Sequence, residues 1–462
     1  MITDFSSIRA THLIGIKGAG MAGLAQLLHA RGIDVCGSDT NEEFFTDALL
    51  AKSGISVESF SPSHITPSLD CVITSTAYPE SHPELCAARE AGIPILTYPQ
   101  ALSLLFNAAF GIAVCGSHGK TTTSAMITYL FVHLGLDPTA VVGSQIHQLG
   151  SNAIIGNSPY FVLEADEYQN KLSLYDPKMI VMTTVDYDHP DFFPDEETYR
   201  QTFAEFAGKI IDRKLIACWD DPGVKKALIS FDAKNLITYG WDPSFDYSAS
   251  NYRIENGRRA FTIAKRGIPV GDYSLSLIGK YNASNALAAL AVCDTLKLAP
   301  LSRAAEILGE FTGTARRFEY KGTRGSLEII DDYGHHPTEI RATLHAARHQ
   351  YPDKKIWCVF GSHTYSRTQT FLDQFGDSFH HVDRVLVLDI YTSAREREAS
   401  VTAEDLVTAI NRASGNAQLT HTHADALKEL LEHENEIDIL ITMGAGDVYK
   451  IADHLVTEPA HQ

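Results

Sequence analysis

The residues with the clearest chemical potential follow an apolar stretch, residues 111–115, and form a glycine-rich turn. Gly116 and Gly119 can bring backbone N–H groups toward an anion at a helix start. Lys120 adds a positive charge for terminal phosphates, and Thr121 adds a hydroxyl that can ligate Mg²⁺. A structural turn with a chance Lys-Thr pair is the alternative. A strand before the turn and a helix after it favour an ATP site.

A second glycine-rich turn lies near the start of the chain. Gly18, Gly20 and Gly23 form a G-x-G-x-x-G pattern between a strand-like run and an apolar-periodic helix. Asp39 follows about 20 residues later, at the end of a second strand, as expected of a βαβ nucleotide fold. The pattern also occurs as simple strand-to-helix packing. We predict that this turn holds a nucleotide or its diphosphate.

Acidic residues follow two further strands of the same segment as the lysine turn. Glu164, Asp166 and Glu167 come after one strand, and His189 comes after the next. The carboxyl ends of parallel strands share one sheet edge, so these side chains are predicted to lie near the phosphates. A carboxylate suits the Mg²⁺ of ATP, whereas imidazole is an unusual ligand for so hard a cation. A solvated loop and a structural histidine are the alternatives.

Polar clusters also follow strands in the last third of the chain. Tyr333 and His335 lie in one cluster, and His363 and Arg367 lie in another. Two titratable clusters at strand ends favour a substrate site over packing. Arg367 can pair with a carboxylate, and the histidines and tyrosine can orient a small polar substrate.

Three α/β segments are predicted to position these groups. Alternating strands and helices divide the chain into residues 1–107, 108–314 and 315–462. The fold class is therefore α/β with three domains: an N-terminal Rossmann-like, a central P-loop ATPase-like and a C-terminal Rossmann-like domain, the last expected to be parallel and doubly wound.

Composition narrows the possible partners. The 462 residues are 44% apolar and 21% charged, and their net charge is −19. The negative charge disfavours nucleic acid and anionic membranes as partners. Seven scattered cysteines, without a C-x-x-C pair, are typical of a reducing compartment, and we found neither a signal peptide nor a membrane-spanning run. We expect a cytoplasmic protein without membrane insertion.

The motifs, taken in order, resemble those of the Mur ligases over nearly the whole chain. They are GIKGAGM, CGSD, GSHGKTT, EADE, DYDHPD, NASNALAA, GTARRFE, DDYGHHP, SHTYSRT and MGAGD. The resemblance implies three domains that bind a UDP-sugar, ATP and an amino acid in turn. It is nearest to the member that joins L-alanine to UDP-N-acetylmuramate in peptidoglycan precursor synthesis. It implies that ATP phosphorylates the sugar's carboxylate and that the amine then attacks the acyl phosphate.

Roles carried over from the resemblance are assigned by matching position. ATP would be bound by Gly116, Ser117, His118, Gly119, Lys120, Thr121, Thr122, Asn282, Asn285, Arg316 or Arg317, and Asp332. Magnesium would be held by Thr121, Glu164 and His189. The UDP-sugar would be bound by Gly18, Ala19, Gly20, Met21, Ser38 and Asp39. The amino acid would face Tyr333, His335, His363 and Arg367. The implied catalytic residues are Lys120, Glu164, His189, His335 and Arg367.

Several positions depart from the family pattern, and alternatives remain open. The departures from the family are Lys17, Ser117, Tyr168-Gln169 and Gly361-Ser362. Val114 departs instead from the general phosphate-loop pattern, where it stands at the position of the first glycine. One alternative is the recycling ligase, which adds a ready-made tripeptide to the same UDP-sugar. The HTYSRT motif favours the L-alanine enzyme. An NAD-dependent dehydrogenase would leave the lysine turn unexplained, and a nucleotide-binding scaffold without turnover conflicts with the complete set of Lys120, Glu164 and His189.

Overall fold

The first sheet of the computed structural model, which describes residues 2–391 and 400–457, has five parallel strands in the order β3-β2-β1-β4-β5. Its elements are β1 (Ala10–Ile14), α1 (Ala19–Ala30), β2 (Asp34–Asp39), α2 (Phe45–Lys52), β3 (Ser56–Ser59), β4 (Cys71–Thr74), α3 (Pro83–Glu90), β5 (Ile95–Thr97) and α4 (Tyr98–Asn107). The strand order reverses beside β1, so the turn after β1 lies at a topological switch point.

The second sheet has ten strands in the order β15-β14-β13-β12-β11-β10-β6-β9-β7-β8. Its elements are β6 (Phe110–Cys115), α5 (Lys120–His133), β7 (Thr139–Ile146), β8 (Ser151–Ile154), β9 (Tyr160–Glu164), β10 (Met179–Met182), α6 (Glu196–Ala207), β11 (Lys214–Cys218), α7 (Pro222–Ala227), β12 (Leu236–Gly240), β13 (Tyr247–Glu255), β14 (Arg258–Lys265), β15 (Ile268–Leu275), α8 (Lys280–Thr295) and α9 (Leu301–Gly309). The central strands are parallel, whereas β13, β14 and β15 form an antiparallel meander at one edge.

The third sheet has six strands in the order β16-β17-β21-β18-β19-β20. Its elements are β16 (Glu319–Arg324), β17 (Leu327–Asp332), α10 (Pro337–Gln350), β18 (Ile356–Phe360), α11 (Tyr365–Thr370), α12 (Leu372–Gly376), β19 (Arg384–Val387), α13 (Ala403–Ala413), β20 (Ala417–Leu419), α14 (His423–Glu432), β21 (Ile439–Met443) and α15 (Tyr449–Thr457). The predicted parallel sheet is found, except that β16 runs antiparallel to β17. The prediction of three α/β domains is confirmed.

Alternating side chains of β6 show how the core is organised. Ile112 and Val114 face a core formed with α5, α8 and α9, whereas Ala113 and Cys115 face the opposite side of the sheet. The apolar core on the Ala113 and Cys115 side of the second sheet is continuous with the core of the first sheet. Phe106 of the helix α4 belongs to this shared core. The first and second sheets therefore pack as one body around a shared apolar layer.

Among the residues that the structure describes, no helix combines the length and apolar character needed to cross a membrane.

Candidate active site

The turn between β6 and α5 has the glycine-dependent geometry of a phosphate loop. Gly116 has φ 132° and Gly119 has φ 80°, and a Cβ on Gly116 would lie 2.2 Å from the Thr183 hydroxyl oxygen. Only glycine fits such a position without strain. The N–H groups of Ser117 and His118 donate to Thr184. The N–H groups that could donate hydrogen bonds to an anion therefore lie in the first turn of α5.

Lys120 reaches back across this turn to a buried carboxylate. Its Nζ donates to the carbonyls of Gly116 and Ser117 and, at 3.0 Å, to Glu167 Oε2. Burial alone would lower the pKa of Lys120, but the negative charges of Glu167 and Asp166 outweigh it and raise the pKa above its ordinary value. Lys120 therefore carries a full positive charge at the sheet edge, where a terminal phosphate could replace one of its present acceptors.

Thr121 and Glu164 form a second contact at this edge. The Thr121 hydroxyl donates to Glu164 Oε1 at 2.9 Å, and the N–H of Gly143 donates to Glu164 Oε2. The two side chains offer the hard oxygen donors that suit Mg²⁺. The structure thus brings together two of the three residues predicted to hold magnesium.

His189 lies beside a different carboxylate from the one expected. Its Nε2 is 3.8 Å from Glu167 Oε1, and Asp166, Glu167 and His189 form one compact group of potential ligands. Glu167 is 1% exposed and also accepts a hydrogen bond from Tyr199 at 2.8 Å. The sequence predicts Glu167 among the acidic side chains near the phosphates, but it assigns Glu167 no ligand or catalytic role. Its position after a strand was the only signal, and a solvated loop carboxylate gives the same signal.

His118 joins the phosphate loop to the third sheet's domain. Its Nε2 is 3.0 Å from Asp186 Oδ2, and its Nδ1 is 3.2 Å from Glu339 Oε1 on α10. Burial would lower the pKa of His118, but its hydrogen bond to Asp186 and the negative charge of the nearby Glu339 raise it to about 10. Thr338 also donates to Asp186, at 2.7 Å. A charged imidazole is thus held between two carboxylates across the junction.

Arg317 and Asp332 lie at the same junction, as predicted for the nucleotide site. Arg317 donates to the Thr121 hydroxyl at 3.3 Å, and its guanidinium lies 5.2 Å from the Tyr333 ring. Asp332 accepts the N–H groups of Phe318 and Gly334, both at 2.8 Å. Burial raises the pKa of Asp332 to about 6.

Arg316, the alternative to Arg317, is directed elsewhere. It donates to Asp331 at 3.0 Å and to the carbonyl of Gly444 at 2.6 Å. These contacts lie inside the third sheet's own domain, so Arg317 is the arginine that reaches the phosphate loop.

Arg367 forms a buried ion pair with the central domain. Its Nε donates to Asp188 Oδ1 at 2.8 Å, and the two side chains are 4% and 6% exposed. Burial would raise the pKa of Asp188, but Arg367 reverses this and holds it well below its usual value. Asp188 lies in the DYDHPD motif but was not predicted as a site residue. The structure pairs it with Arg367, which was predicted to bind the amino-acid substrate.

The predicted amino-acid residues of the two histidine motifs converge near Arg367. His363 Nδ1 lies 3.3 Å from Arg367 Nη1, and the His335 and His363 ring centroids are 6.4 Å apart. Burial, together with the charge of Arg367, lowers the pKa of His335 to about 3. His335 Nδ1 is 3.1 Å from the carbonyl of Tyr333, which fixes the hydrogen on Nδ1 and leaves Nε2 as an acceptor.

Asn282 and Asn285 support the phosphate loop from α8. Asn285 donates to Asn282 Oδ1 at 3.1 Å, and a Cβ on Gly119 would lie 2.8 Å from Asn285 Oδ1. Thr122 is 8% exposed in the first turn of α5. The residues predicted to bind ATP therefore surround one loop, from three directions.

The turn after β1 has a different character. The helix α1 begins at Ala19, directly after Gly18, and Asp39 accepts the N–H of Lys17 at 2.7 Å and the hydroxyl of Tyr78 at 3.3 Å. Gly20 packs closely against Tyr98, since a Cβ atom at position 20 would lie only 2.7 Å from the Tyr98 hydroxyl oxygen.

Two of the residues predicted to bind the UDP-sugar point into the interior. Met21 is 3% exposed and belongs to the apolar core. Ser38 is fully buried, and its hydroxyl donates to Glu84 at 2.5 Å. The side chains of Met21 and Ser38 therefore belong to the domain interior and do not face a ligand site at this turn.

Known protein families match the chain in three segments that correspond to its three sheets. Three family descriptions match in succession: "Mur ligase family, catalytic domain" over residues 10–110, "Mur ligase middle domain" over 114–293 and "Mur ligase, glutamate ligase domain" over 316–446. The chain belongs to the Mur ligase family.

The similarity to individual relatives covers almost the full length of this chain. The chain is 39% identical to the UDP-N-acetylmuramate–L-alanine ligase of Desulfitobacterium hafniense, over 96% of this chain and 99% of the relative. It is 37% identical to the enzyme of the same name from Agathobacter rectalis, over 98% and 99%. The crystal structure of the UDP-N-acetylmuramate-alanine ligase of Thermotoga maritima matches with a TM-score of 0.80 at 25% identity, over 97% of this chain and 98% of that one. A murein peptide ligase from Psychrobacter arcticus shares the fold, with a TM-score of 0.73 at 24% identity and the same two coverages.

Proposed function

We propose that this Mur ligase joins L-alanine to the carboxylate of UDP-N-acetylmuramate at the expense of ATP. The observation that carries the proposal is the meeting of Lys120, Thr121 and Glu164 with Arg317 of the third sheet's domain. A phosphoryl group and an amine can meet only where these two domains face each other. The full-length relatives named for this reaction support the same substrates.

The proposed division of labour follows the three sheets. Residues 1–107 bind the UDP-sugar, residues 108–314 bind ATP, and residues 315–462 bind the amino acid. The family descriptions over 10–110, 114–293 and 316–446 support this division. The seven cysteines are free thiols, which supports a reducing cytoplasm as the place of reaction.

The proposed first step transfers the terminal phosphoryl group of ATP to a carboxylate oxygen, and ADP leaves. Lys120 neutralises charge on the transferred group, while the first turn of α5 holds the phosphates. The oxygen donors of Thr121 and Glu164 fit Mg²⁺, which would supply further charge neutralisation when bound. We place His189 next to this cation on the side of Glu167, because those two side chains are in contact.

In the proposed second step the neutral amine nitrogen attacks the carbonyl carbon, the C–O bond to phosphate breaks, and the proton lost by the amine goes to the departing phosphate. We propose that Arg367 orients the carboxylate of L-alanine and that Nε2 of neutral His335 accepts a hydrogen bond from its amine. The buried contact between Arg367 and Asp188 fixes the guanidinium at the junction.

Phosphate release from ATP tests the proposal directly. We expect release that requires both UDP-N-acetylmuramate and an amino acid, and that is fastest with L-alanine when compared with glycine, L-serine and a tripeptide. Preference for the tripeptide would identify the recycling ligase instead. Hydride transfer to NAD without ATP turnover would identify a dehydrogenase and overturn the proposal.

A further inference from the structure

Three side chains that the proposed reaction does not use converge inside the first domain. His12 lies in β1, His64 ends the short 3-10 helix Pro62–His64, and Glu84 lies in the first turn of α3. Their side chains are 1%, 26% and 0% exposed. Because they come from three separate elements, their convergence is a product of the tertiary fold.

The distances between the three side chains match those of ligands around one small metal ion. His12 Nε2 is 3.6 Å from Glu84 Oε2, and His64 Nδ1 is 3.4 Å from Glu84 Oε1. All three ligand atoms lie within 4.8 Å of one another. Two atoms bound tetrahedrally to Zn²⁺, each at about 2.0–2.2 Å, are separated by roughly 3.4 Å.

An unsatisfied polar atom provides an independent indication. His64 Nδ1 is buried, and it makes no hydrogen bond within residues 2–391 and 400–457. Buried nitrogen atoms without a partner are uncommon, because an unsatisfied polar atom loses its hydrogen bonds to water on burial. A cation beside His64 Nδ1 would give this nitrogen a partner, and Glu84 Oε1 would be a second ligand.

Glu84 is fully buried and faces both imidazoles. Buried carboxylates are stabilised by hydrogen bonds, by a close counter-charge or by a metal ion. A cation held by Glu84, His12 and His64 would supply such a counter-charge.

The surroundings resemble the second layer of a metal site. Ser38 donates to Glu84 Oε2 at 2.5 Å, and the N–H of Ser61 donates to Glu84 Oε1 at 2.8 Å. His12 Nδ1 lies 3.4 Å from the sulfur of Cys36. Metal ligands are commonly oriented by such hydrogen bonds to their remaining polar atoms.

We propose that His12, His64 and Glu84 form a binding site for a divalent transition-metal ion of the Zn²⁺ type, with its fourth position open to solvent beside His64. Two imidazoles and one carboxylate are a donor set suited to Zn²⁺ rather than to Mg²⁺. The ion ties β1, the segment containing His64 and α3 together, and it stabilises the domain that we assign to the UDP-sugar.

Zinc binding by the full-length protein tests this site. Protein stripped with EDTA is titrated with ZnCl₂ in excess MgCl₂, which occupies the oxygen-rich groups around Glu164. Bound zinc is measured by elemental analysis after gel filtration, and thermal unfolding is followed with and without zinc. We expect one zinc ion per chain and a higher Tm in zinc.

Substitution of the partly exposed ligand separates this site from others. We expect His64→Gln to weaken zinc binding at least about tenfold and to remove the rise in Tm. The matched control is His29→Gln, which replaces an exposed histidine in the last turn of α1 and should bind zinc as the wild type does. Glu84→Gln, which keeps the shape of the side chain, should weaken binding as well. The proposal is overturned if the wild-type protein retains no zinc, or if His64→Gln binds it as tightly as wild type.

Discussion

The two glycine-rich turns of this protein resemble each other in sequence and differ in charge. Both follow a central parallel strand and precede a helix, α1 in one case and α5 in the other. At the second turn Lys120 lies inside the loop and contacts Glu167. At the first turn Lys17 points away, with its Nζ 3.2 Å from Asp47 Oδ1 on α2 and 2.8 Å from the carbonyl of Glu42.

This difference matches the two roles that we propose for the turns: the first holds a diphosphate, and the second is where a bond to phosphorus breaks. Holding a diphosphate requires backbone N–H groups and a helix start. Breaking the bond also requires charges that act on the transferred group, and a cation site beside it. Of the two turns, only the second combines a lysine in the loop with carboxylates at the neighbouring strand end.

The largest expected effect is the loss of Lys120. Lys120→Ala should lower kcat for phosphate release by about 100- to 1,000-fold, because it removes a charge that acts on the transferred phosphoryl group. Steady-state phosphate release measures this change. UDP-sugar affinity, which we assign to the first turn, is the control for folding and should stay near the wild-type value. Near-normal turnover in a folded variant would contradict the assigned role.

The next effect concerns Glu167, which the sequence predicts to lie near the phosphates but to which it assigns no ligand or catalytic role. Glu167→Gln keeps the shape of the side chain but removes the charge that faces Lys120 and His189. We expect kcat to fall about 10- to 100-fold, with a higher Mg²⁺ concentration needed for half-maximal rate. Titration of activity with MgCl₂ provides the measurement. An unchanged Mg²⁺ requirement would place the cation on Thr121 and Glu164 alone.

The third prediction concerns pH and the contact across the junction. The pKa of His118 is raised to about 10, above its ordinary value of 6.5, so its contribution to stability is complete below about pH 6.5. It is lost as pH rises through about 10. Unfolding measured from pH 6 to 10 should show wild type losing stability, on the order of a few kcal/mol, relative to His118→Gln. Parallel curves for the two proteins would show that His118 is not the group responsible.

The sequence predicts the strands that carry the chemistry better than those that do not. Apolar runs such as Ile356–Phe360 stand out because parallel strands are buried on both faces. The meander β13 to β15 was missed, because its strands are half exposed and alternate irregularly. The turn Asn256-Gly257, with both φ angles positive, was the available hairpin signal.

Site residues were predicted where a motif marks a strand end, and missed where two domains meet. Lys120 and Glu164 follow buried strands and could be placed on one edge from sequence alone. His118 pairs with Glu339, and Arg367 pairs with Asp188. In each pair the two residues are far apart in the sequence; Asp188 and Arg367, for example, are separated by 179 positions. Such pairings depend on how the domains pack, which local patterns do not encode.

The smallest effect is expected at the lysine of the first turn. Lys17 is one of the departures from the family pattern, and its ammonium group contacts Asp47 and the carbonyl of Glu42 rather than the turn itself. The side chains of Lys17 and Asp47 are 12% and 34% exposed, and an ion pair with this access to solvent contributes on the order of 1 kcal/mol. Lys17→Ala should therefore change KM for UDP-N-acetylmuramate less than about threefold and leave kcat unchanged. A tenfold or larger rise in KM, measured beside Lys120→Ala, would show that Lys17 swings into the turn when the substrate binds. The two turns would then share a lysine that contacts phosphate, and the difference between them would lie in the carboxylates alone.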